Sequence, residues 1–237
     1  MLQKNSKVKP TLVAVFAHPD DEAYGPSGTL YKYSKSHDVY IICATKGESG
    51  LPFEAIAKEG GIGEKLGETR ATELEKSARL IGVKKVFFLG FIDGTLSNSI
   101  YHKLAEKIEE KLKILKPKIV ITFEPRGVSG HIDHIVVSMA TTFIVEKLTF
   151  VEKLYYFCLS QEKRSKFGSY YIYFPPGYQK SEIAKTVDVS DVWDLKIKVM
   201  MVHKSQITDG KRVLSAISRA KKEEHFLIFK RLSKSIN

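Results

Sequence analysis

The stretch TLVAVFAHPDDE, residues 11–22, joins an apolar run to one histidine and three acidic residues. Its first half, Thr11–Phe16, is predicted to be a buried strand because it is almost wholly apolar. The strand is expected to end at His18, since the residue before a proline favours extended backbone and Pro19 follows. A cluster of charged residues therefore lies directly behind the first strand, where α/β proteins bind ligands.

Further apolar runs alternate with longer amphipathic segments along the chain. The predicted strands are Thr11–Phe16, Val39–Thr45, Lys85–Leu89, Ile119–Phe123 and Leu154–Leu159. Helical spacing covers approximately Ser27–Ser36, Glu64–Ile81, Ser99–Leu115 and His134–Lys147. Apolar strands that alternate with amphipathic helices are typical of parallel βαβ units. The sequence therefore predicts an α/β fold, a Rossmann-like three-layer sandwich with a mostly parallel sheet.

The alternation of strands and helices breaks after Arg164. Residues Ser165–Gln179 are rich in Tyr, Gly and Pro and are predicted to form an irregular arm or lid. A short strand is expected at Thr186–Ser190, followed by helices to the C-terminus. Because we find no internal repeat and no long linker, residues 1–237 are predicted to form a single domain, in which residues 165–237 are the irregular arm plus helices.

The composition indicates a soluble globular protein. Of the 237 residues 43% are hydrophobic, and the N-terminal MLQKNSKVKP lacks the apolar core of a signal peptide. The longest apolar-leaning run, Ile135–Val145, is too short to span a bilayer. Cys43 and Cys158 lie in predicted strands without a second cysteine at metal or redox spacing, so they are expected to be core thiols. These features predict a cytoplasmic protein without stable membrane insertion.

The chain is strongly basic, with 38 Lys and Arg against 27 Asp and Glu. Eight of the basic residues lie between Lys211 and Asn237, an excess that could mark a nucleic-acid or anionic membrane surface. They are nevertheless spread along a segment with apolar residues at helical intervals. A solvated helix face explains them better, and no nucleic-acid partner is predicted.

Two histidine-containing motifs directly follow predicted strands. AHPDDE follows the first strand, and SGHIDH, residues 129–134, comes after the fourth. In the common doubly wound strand order 3-2-1-4-5 these two strands are neighbours, and ligands bind beyond their carboxyl ends. The two motifs are therefore expected to face each other across one crevice.

His18, Asp21 and His134 form a predicted ligand set for a catalytic metal. His18 and Asp21 are three residues apart, so a helical turn after Pro19 projects them to similar sides. Two imidazoles and one carboxylate are typical of catalytic zinc sites, in which water takes the fourth position. Zinc lowers the pKa of that water to about 7 and polarises a carbonyl. Zn²⁺ is thus the predicted cofactor, and Fe²⁺ is an alternative because the same set suits both metals.

Three neighbouring residues are predicted to support this metal. Asp20 is free to take a proton from water and pass it to a leaving amine. His131 is placed to steady an oxyanion as a cation or hydrogen-bond donor, and Asp133 to orient one of the imidazoles. Taken singly, each motif has a structural alternative, a proline turn or a helix start. Their combination on neighbouring strand ends favours the metal site.

The motifs resemble those of the PIG-L/LmbE-like zinc-dependent N-acetylglucosamine de-N-acetylases. AHPDDE at Ala17–Glu22 matches the first motif of that family, and GVSGHIDH at Gly127–His134 matches the second. Weaker similarity is carried by TKGESG, RATE, DG and HKSQ, at residues 45–50, 70–73, 93–94 and 203–206. The resemblance covers the chain from about residue 10 to 206.

The resemblance implies zinc on His18, Asp21 and His134. It also implies Asp20 as general base and acid, and His131 as the residue that stabilises the oxyanion. It adds Arg70, Asp93 and Glu48 as substrate-binding residues, with Arg70 and Asp93 in the sugar pocket. Without the resemblance, Arg70 is explained as a solvated or Glu-paired helical residue and Glu48 as a loop charge. Ser129 stands where bacterial thiol-biosynthesis members often carry Tyr, so the contribution of that Tyr must come from elsewhere, for example from the tyrosine-rich arm.

The sequence therefore predicts a zinc-dependent N-deacetylase, a hydrolase of a linear amide, that acts on a small N-acetylated amino-sugar conjugate. Two alternatives stay open: a zinc hydrolase of another small amide, and a non-catalytic protein of the same fold that binds a metal and a sugar. The patterns of serine hydrolases, dinucleotide-binding enzymes and P-loop proteins are absent from the sequence, which argues against those classes. Formation of a homo-oligomer is left open.

Overall fold

The computed structural model describes residues 9–50, 62–168 and 173–231. In these residues one sheet contains the strands β1 Thr11–Phe16, β2 Asp38–Thr45, β3 Lys85–Phe91, β4 Ile119–Phe123, β5 Lys153–Cys158, β6 Lys185–Asp188 and β7 Glu223–Ile228. Their order across the sheet is β3-β2-β1-β4-β5-β7-β6. The first five strands are parallel, whereas β7 runs antiparallel to both β5 and β6. The predicted order of the first five strands is confirmed.

Helices cover both faces of this sheet. Among the described residues they are α1 Asp21–Tyr24, α2 Ser27–Ser34, α3 Ile62–Ile81, α4 Tyr101–Leu115, α5 Gly127–Gly130, α6 Ile132–Lys147, α7 Gln161–Arg164, α8 Trp193–Val202 and α9 Ile207–Ile217. Helix α4 packs against α6, and α3 packs against α2 and α8. The predicted three-layer α/β architecture with a mostly parallel sheet is therefore confirmed.

Strand β1 lies inside the sheet, between β2 and β4. Its residues Leu12 to Phe16 are at most 1% exposed, because helices cover the sheet on both sides. Cys43 and Cys158 are buried in β2 and β5 with free thiols, which confirms that both belong to the core.

The C-terminal segment differs from the prediction. Helices α8 and α9 are present, but the helical structure ends at Ile217, and the segment predicted to continue as a helix forms β7. Within β7, Phe226 is 1% exposed and belongs to the core. Glu224 is 2% exposed and pairs with Lys196, whose Nζ lies 2.8 Å from Oε1 of Glu224. A strand that buries a glutamate beside a phenylalanine lacks the alternation of apolar and polar residues by which strands are recognised.

The topology brings the two histidine motifs to one edge of the sheet. Strands β1 and β4 pair directly, with Leu12 opposite Ile119 and Ala14 opposite Ile121. Because they are parallel, their carboxyl ends lie side by side. AHPDDE leads from β1 into α1, and the segment after β4 leads into α5 and α6.

Candidate active site

The turn after β1 brings His18 and Asp21 together. The backbone N–H of His18 donates to Oδ2 of Asp21 (2.8 Å), which closes the turn around Pro19. Asp20 takes a left-handed conformation with φ 106°, a backbone state that costs a non-glycine residue about 1–3 kcal/mol. This turn brings Nδ1 of His18 to 3.7 Å from Oδ2 of Asp21.

The third candidate ligand comes from the first turn of α6. Nε2 of His134 lies 3.1 Å from Oδ1 of Asp21 and 3.3 Å from Nδ1 of His18. The ring of His134 stacks on Phe123 at the end of β4, with centroids 4.1 Å apart. One ligand atom from each of His18, Asp21 and His134 can be chosen so that all three lie within 4.8 Å of one another.

Hydrogen bonds on the outer side of each imidazole determine its tautomer. Nε2 of His18 lies 2.9 Å from Oδ1 of Asp93 and 3.3 Å from Oδ2 of Asp133, so it must carry the proton that these carboxylates accept. Nδ1 of His134 lies 3.1 Å from the carbonyl oxygen of Gly127, which can only accept. In the neutral rings, therefore, Nδ1 of His18 and Nε2 of His134, which face each other, both carry lone pairs.

Two imidazole lone pairs and one carboxylate thus point at a common centre. This arrangement is repulsive unless a cation or a proton lies between them. Burial lowers the pKa of His18, but the hydrogen bonds to Asp133 and Asp93 outweigh it and raise that pKa to about 10. Burial also opposes ionisation of Asp21, but His134 and His18 hold its pKa well below the usual range. The donor set and its outer hydrogen bonds fit a divalent metal with two nitrogen ligands and one oxygen ligand.

Asp20 lies beside this centre but is held by another partner. Its Oδ2 accepts from Nη2 of Arg70 at 3.0 Å, and the same Nη2 donates to the carbonyl of Pro19 at 2.8 Å. Burial raises the pKa of Asp20 to about 6, against the opposing effect of the Arg70 guanidinium. A carboxylate with this pKa can gain and lose a proton close to neutral pH.

The loop after β2 is shaped around Arg70. Nη1 of Arg70 donates to the carbonyl of Gly47 at 2.8 Å. Gly47 has φ +74°, and a Cβ there would lie 2.5 Å from Cζ of Arg70. A side chain at this position would therefore displace the guanidinium, which explains the glycine in the TKGESG segment.

His131 is the N-cap residue of α6. Its Nδ1 accepts from the backbone N–H of Asp133 at 3.2 Å, so a neutral His131 carries its proton on Nε2. Burial and the neighbouring His134 and His18 lower the pKa of His131 to about 4. Of the two forms predicted from the sequence, cation or hydrogen-bond donor, this geometry favours the neutral donor.

The three residues expected to bind substrate occupy different positions. Arg70 and Asp93 both line the pocket described below, and Asp93 also contacts His18. Glu48 is not among the lining residues, and its Oε2 instead accepts from the backbone N–H of Asp93 at 3.2 Å. Asp93 is further held by the backbone N–H of Ser49 at 3.2 Å.

Sequence reasoning gave no role to two residues that support the turn after β1. Glu22, 0% exposed, accepts from the backbone N–H of Asp20 at 3.1 Å and from the hydroxyl of Ser77. Nε2 of His203, also 0% exposed, lies 2.8 Å from Oε1 of Glu22. His203 opens the HKSQ segment, so its similarity to a family motif was the signal that could have identified it.

A pocket of about 410 Å³ opens onto these side chains. Its lining includes His18, Asp20, Asp21, His131 and His134. Ser129 lines it as well, in the position where a tyrosine was expected. The arm contributes Phe167 and Phe174, while Tyr170 and Tyr171, within the tyrosine-rich stretch, lie outside the described residues.

Comparison with known proteins assigns the family. The profile of the family described as PIG-L: GlcNAc-PI de-N-acetylase matches residues 13–145, more than half of the chain. The chain belongs to the PIG-L family. The resemblance to this family is thereby confirmed. The matched region contains both histidine motifs and Arg70, Asp93 and Glu48, whereas the HKSQ segment at residues 203–206 lies outside it.

One relative and two solved structures show how far this similarity reaches. The 1D-myo-inositol 2-acetamido-2-deoxy-alpha-D-glucopyranoside deacetylase of Saccharomonospora viridis is 28% identical over 230 residues, which cover 84% of this chain and 86% of that protein. N,N'-diacetylchitobiose deacetylase from Pyrococcus horikoshii superposes with a TM-score of 0.69 and 21% identity, over 100% of this chain and 90% of that one. The 4-carboxy-2-hydroxymuconate hydratase GalB of Pseudomonas putida reaches the same TM-score at 14% identity, over 96% of this chain and 100% of that one. Because this fold accompanies more than one activity, the fold alone does not decide the reaction.

Among the described residues, none of the helices combines the length and the hydropathy needed to cross a membrane.

Proposed function

We propose that this PIG-L family protein is a metal-dependent deacetylase that hydrolyses the acetamide of an N-acetylglucosamine-type conjugate. Its similarity to a deacetylase of such a conjugate supports the reaction class. The observation that carries the proposal is the convergence of His18 Nδ1, His134 Nε2 and the Asp21 carboxylate beside Asp20 in one pocket.

His18, Asp21 and His134 are the proposed metal ligands, with Zn²⁺ as the proposed ion and Fe²⁺ as the alternative. When bound, the ion supplies a Lewis acid that polarises the amide carbonyl and lowers the pKa of water. Asp93 and Asp133 keep the proton of His18 on Nε2, so that Nδ1 presents its lone pair to the site.

Asp20 is the proposed general base and acid. Its carboxylate takes a proton from the attacking water and passes it to the nitrogen of the leaving amine. The hydrogen bond from Arg70 holds the carboxylate in place, and burial keeps its pKa at about 6, close to the pH at which the proton must move in both directions. The product is a free amino sugar and acetate.

His131 and the polar side of the pocket complete the proposal. Since Nδ1 of His131 is engaged by the backbone of Asp133, Nε2–H is the group that can donate to the developing oxyanion. Arg70 and Asp93 limit the space for the sugar, and Glu48 acts on substrate through Asp93.

Release of free amine from a panel of N-acetylglucosaminides, with the metal content measured in parallel, tests this function. We expect activity that a chelator removes and Zn²⁺ restores, and one metal per chain. His134→Ala should lose both the bound metal and the activity. One bound metal without turnover of any N-acetylglucosaminide would instead favour another amide substrate or a metal- and sugar-binding protein, and no bound metal would refute the site.

Two further proposals concern the chain as a whole. We place the protein in the cytoplasm, because its two cysteines are unpaired and buried, as in proteins of reducing compartments. We also propose that the chain folds as one domain, since all strands of the described residues join the same sheet.

A further inference from the structure

The two sides of the pocket differ in chemistry. On the side of β2 and β3, the lining residues Ser49, Arg70 and Asp93 are polar or charged. On the side of β5, the lining consists largely of aromatic and aliphatic side chains. The six residues that we call the apolar wall are Phe157, Leu159, Phe167, Phe174, Val213 and Ile217.

Three separate parts of the chain build this apolar wall. Phe157 lies in β5 and Leu159 directly after it. Phe167 and Phe174 lie in the arm, and Val213 and Ile217 lie four residues apart on one face of α9. The wall begins close to the candidate metal ligands: a Cβ on Gly25, directly after α1, would lie 3.5 Å from the ring of Phe157. It therefore continues the site instead of forming a separate groove.

The arm is fixed in the position that adds its two rings to the wall. Arg164 donates to the carbonyls of Phe167 and Phe174, at 3.2 and 3.0 Å, and so joins the two limbs of the arm. The two rings meet edge to face with centroids 5.7 Å apart, and the guanidinium of Arg164 lies 3.7 Å from the centroid of Phe174. On the other side, the arm packs against the second histidine motif so closely that a Cβ on Gly130 would lie 2.3 Å from the carbonyl oxygen of Tyr173.

A polyol would be a poor occupant of this wall. Its hydroxyl groups would lose hydrogen bonds to water without gaining partners from aliphatic and aromatic side chains. Polar side chains also line the pocket near α9, namely Tyr24, Gln206, Asp209 and Arg212, but none of the six side chains that form the wall can donate or accept a hydrogen bond. An apolar group, by contrast, gains about fourfold in affinity for each methylene that it buries.

We propose that the substrate of this site carries an apolar group of several carbon atoms, which binds against the wall while the amide to be hydrolysed lies at the metal ligands. This inference rests on the proposed deacetylase function and narrows its substrate class. The apolar group is attached either to the anomeric oxygen of the sugar or to the acyl carbon, and the experiment distinguishes these two sources.

The test measures kcat/KM for two series of substrates. In the first, N-acetylglucosaminides of one anomer carry methyl, butyl or hexyl aglycones. In the second, methyl glucosaminide carries an acetyl, butanoyl or hexanoyl group on nitrogen. We expect kcat/KM to rise at least tenfold from the shortest to the longest member of one series, mainly through a lower KM, since the added contact is made equally in the ground and transition states.

Variants locate the effect within the pocket. For the series in which kcat/KM rises, we compare the longest with the shortest member. The ratio of their kcat/KM values should fall at least threefold in Phe174→Ala and in the nearly isosteric Val213→Thr. This ratio is insensitive to a general loss of active protein. Phe143→Ala removes the same ring from the surface of α6, where Phe143 is 48% exposed and does not line the pocket, and should leave the ratio unchanged.

The possible results separate the two proposals. A rise in the first series assigns the wall to the aglycone, and a rise in the second assigns it to the acyl group. Equal kcat/KM along both series, with steady amine release from the methyl glycoside, would overturn the apolar group and leave the deacetylase intact. A rise that persists in both pocket variants would also overturn it. The absence of amine release from every compound would refute the proposed function itself.

Discussion

Asp20 combines an unfavourable backbone conformation with a charged hydrogen-bond donor, Arg70. Its φ is 106°, and its carboxylate accepts from Nη2 of Arg70, 3.0 Å away, whereas the carboxylate of Asp21 lies beside His18 and His134. Two adjacent carboxylates can thus act differently, one at the metal ligands with a depressed pKa and one beside them with a pKa raised to about 6. The left-handed conformation of Asp20 accompanies this division of roles and costs about 1–3 kcal/mol.

We therefore expect Asp20→Asn to abolish proton transfer while it preserves the metal site. The amide oxygen of Asn can still accept from Arg70, but it cannot take a proton from water, so kcat should fall by about 10²–10⁴. Steady-state amine release and metal content of the purified variant are the measurements. Near-normal turnover would show that another group is the base.

Asp133→Asn tests the residue behind His18 in a different way. The amide is a weaker acceptor for Nε2 of His18 than the present carboxylate at 3.3 Å, while Asp93 stays 2.9 Å from the same nitrogen. Metal affinity should therefore fall by about tenfold, at the lower end of the range for such orienting residues. Competition with a chelator measures this affinity without any substrate. A variant that binds the metal as tightly as the parent would exclude Asp133 as an orienting residue.

The candidate site divides into residues that a sequence can and cannot indicate. The convergence of His18, Asp21 and His134 was predictable, because the two motifs follow the neighbouring strands β1 and β4. The contact between Glu22 and His203 was not, because it joins residues 181 positions apart, and the motifs that contain the two residues do not indicate that they pair. The contact of Asp93 with His18 was missed for the same reason.

At the scale of elements, Glu224 connects three of them. Its carboxylate on β7 accepts from the backbone N–H groups of Gly28 and Thr29, at 3.0 and 2.7 Å, in the first turn of α2. It also pairs with Lys196 on α8, which is 3% exposed. The favourable dipole at the start of α2 and the buried ammonium both stabilise the ionised carboxylate.

Glu224→Gln should therefore destabilise the protein at neutral pH. It leaves the ammonium of Lys196 without a charged partner, which costs about 3–5 kcal/mol of the free energy of unfolding. Burial would raise the pKa of Glu224, but Lys196 and the hydrogen bonds outweigh it and lower that pKa below 4.5. A depressed folded-state pKa contributes stability above the unfolded-state value and loses it as pH falls through the folded value. The difference between parent and variant should thus shrink below about pH 4.5.

Denaturant unfolding of both proteins between pH 3.5 and 7 measures this difference. Glu223→Gln on the same strand is the control. The side chain of Glu223 is 31% exposed, and its contact with His225 is long, with Oε2 and Nε2 3.8 Å apart. We expect its effect to stay below about 1 kcal/mol at every pH. Equal effects of the two substitutions would show that the buried pair contributes little.

The burial of Glu224 also explains why strand β7 was not predicted from the sequence. Strands β1, β2 and β4 are recognisable because both faces of the sheet are covered, so their apolar runs are continuous. Strand β7 places Glu224, His225 and Phe226 in succession in buried positions, and the charge of Glu224 is neutralised by a lysine 28 residues away. Its EEHFLI sequence follows neither the continuous nor the alternating strand pattern, and the preceding amphipathic helix α9 extends a helical period into it.

At the scale of the whole molecule, the basic C-terminal segment belongs partly to the fold. Arg231 donates from Nη2 to the carbonyls of Val145, Leu148 and Val151, at 3.0, 2.8 and 2.8 Å, and so caps the end of α6. Such an interaction satisfies carbonyls that a helix end leaves without partners. Part of the basic excess is therefore explained by structure without a polyanionic partner.

Metal binding should stabilise the entire chain, because its proposed ligands join the segments that follow β1 and β4. An ion that binds only the folded state at 100 times its Kd adds about 2.7 kcal/mol, which for a protein of this size raises Tm by about 5–10 °C. The shift should weaken as pH falls, because the ion must displace the proton that His18, with its pKa raised to about 10, otherwise holds. Thermal unfolding of chelated and Zn²⁺-reloaded protein at pH 6 and 8 gives both quantities. His134→Ala should unfold at one Tm regardless of Zn²⁺, whereas a shift of parental size in that variant would place the ion elsewhere in the molecule.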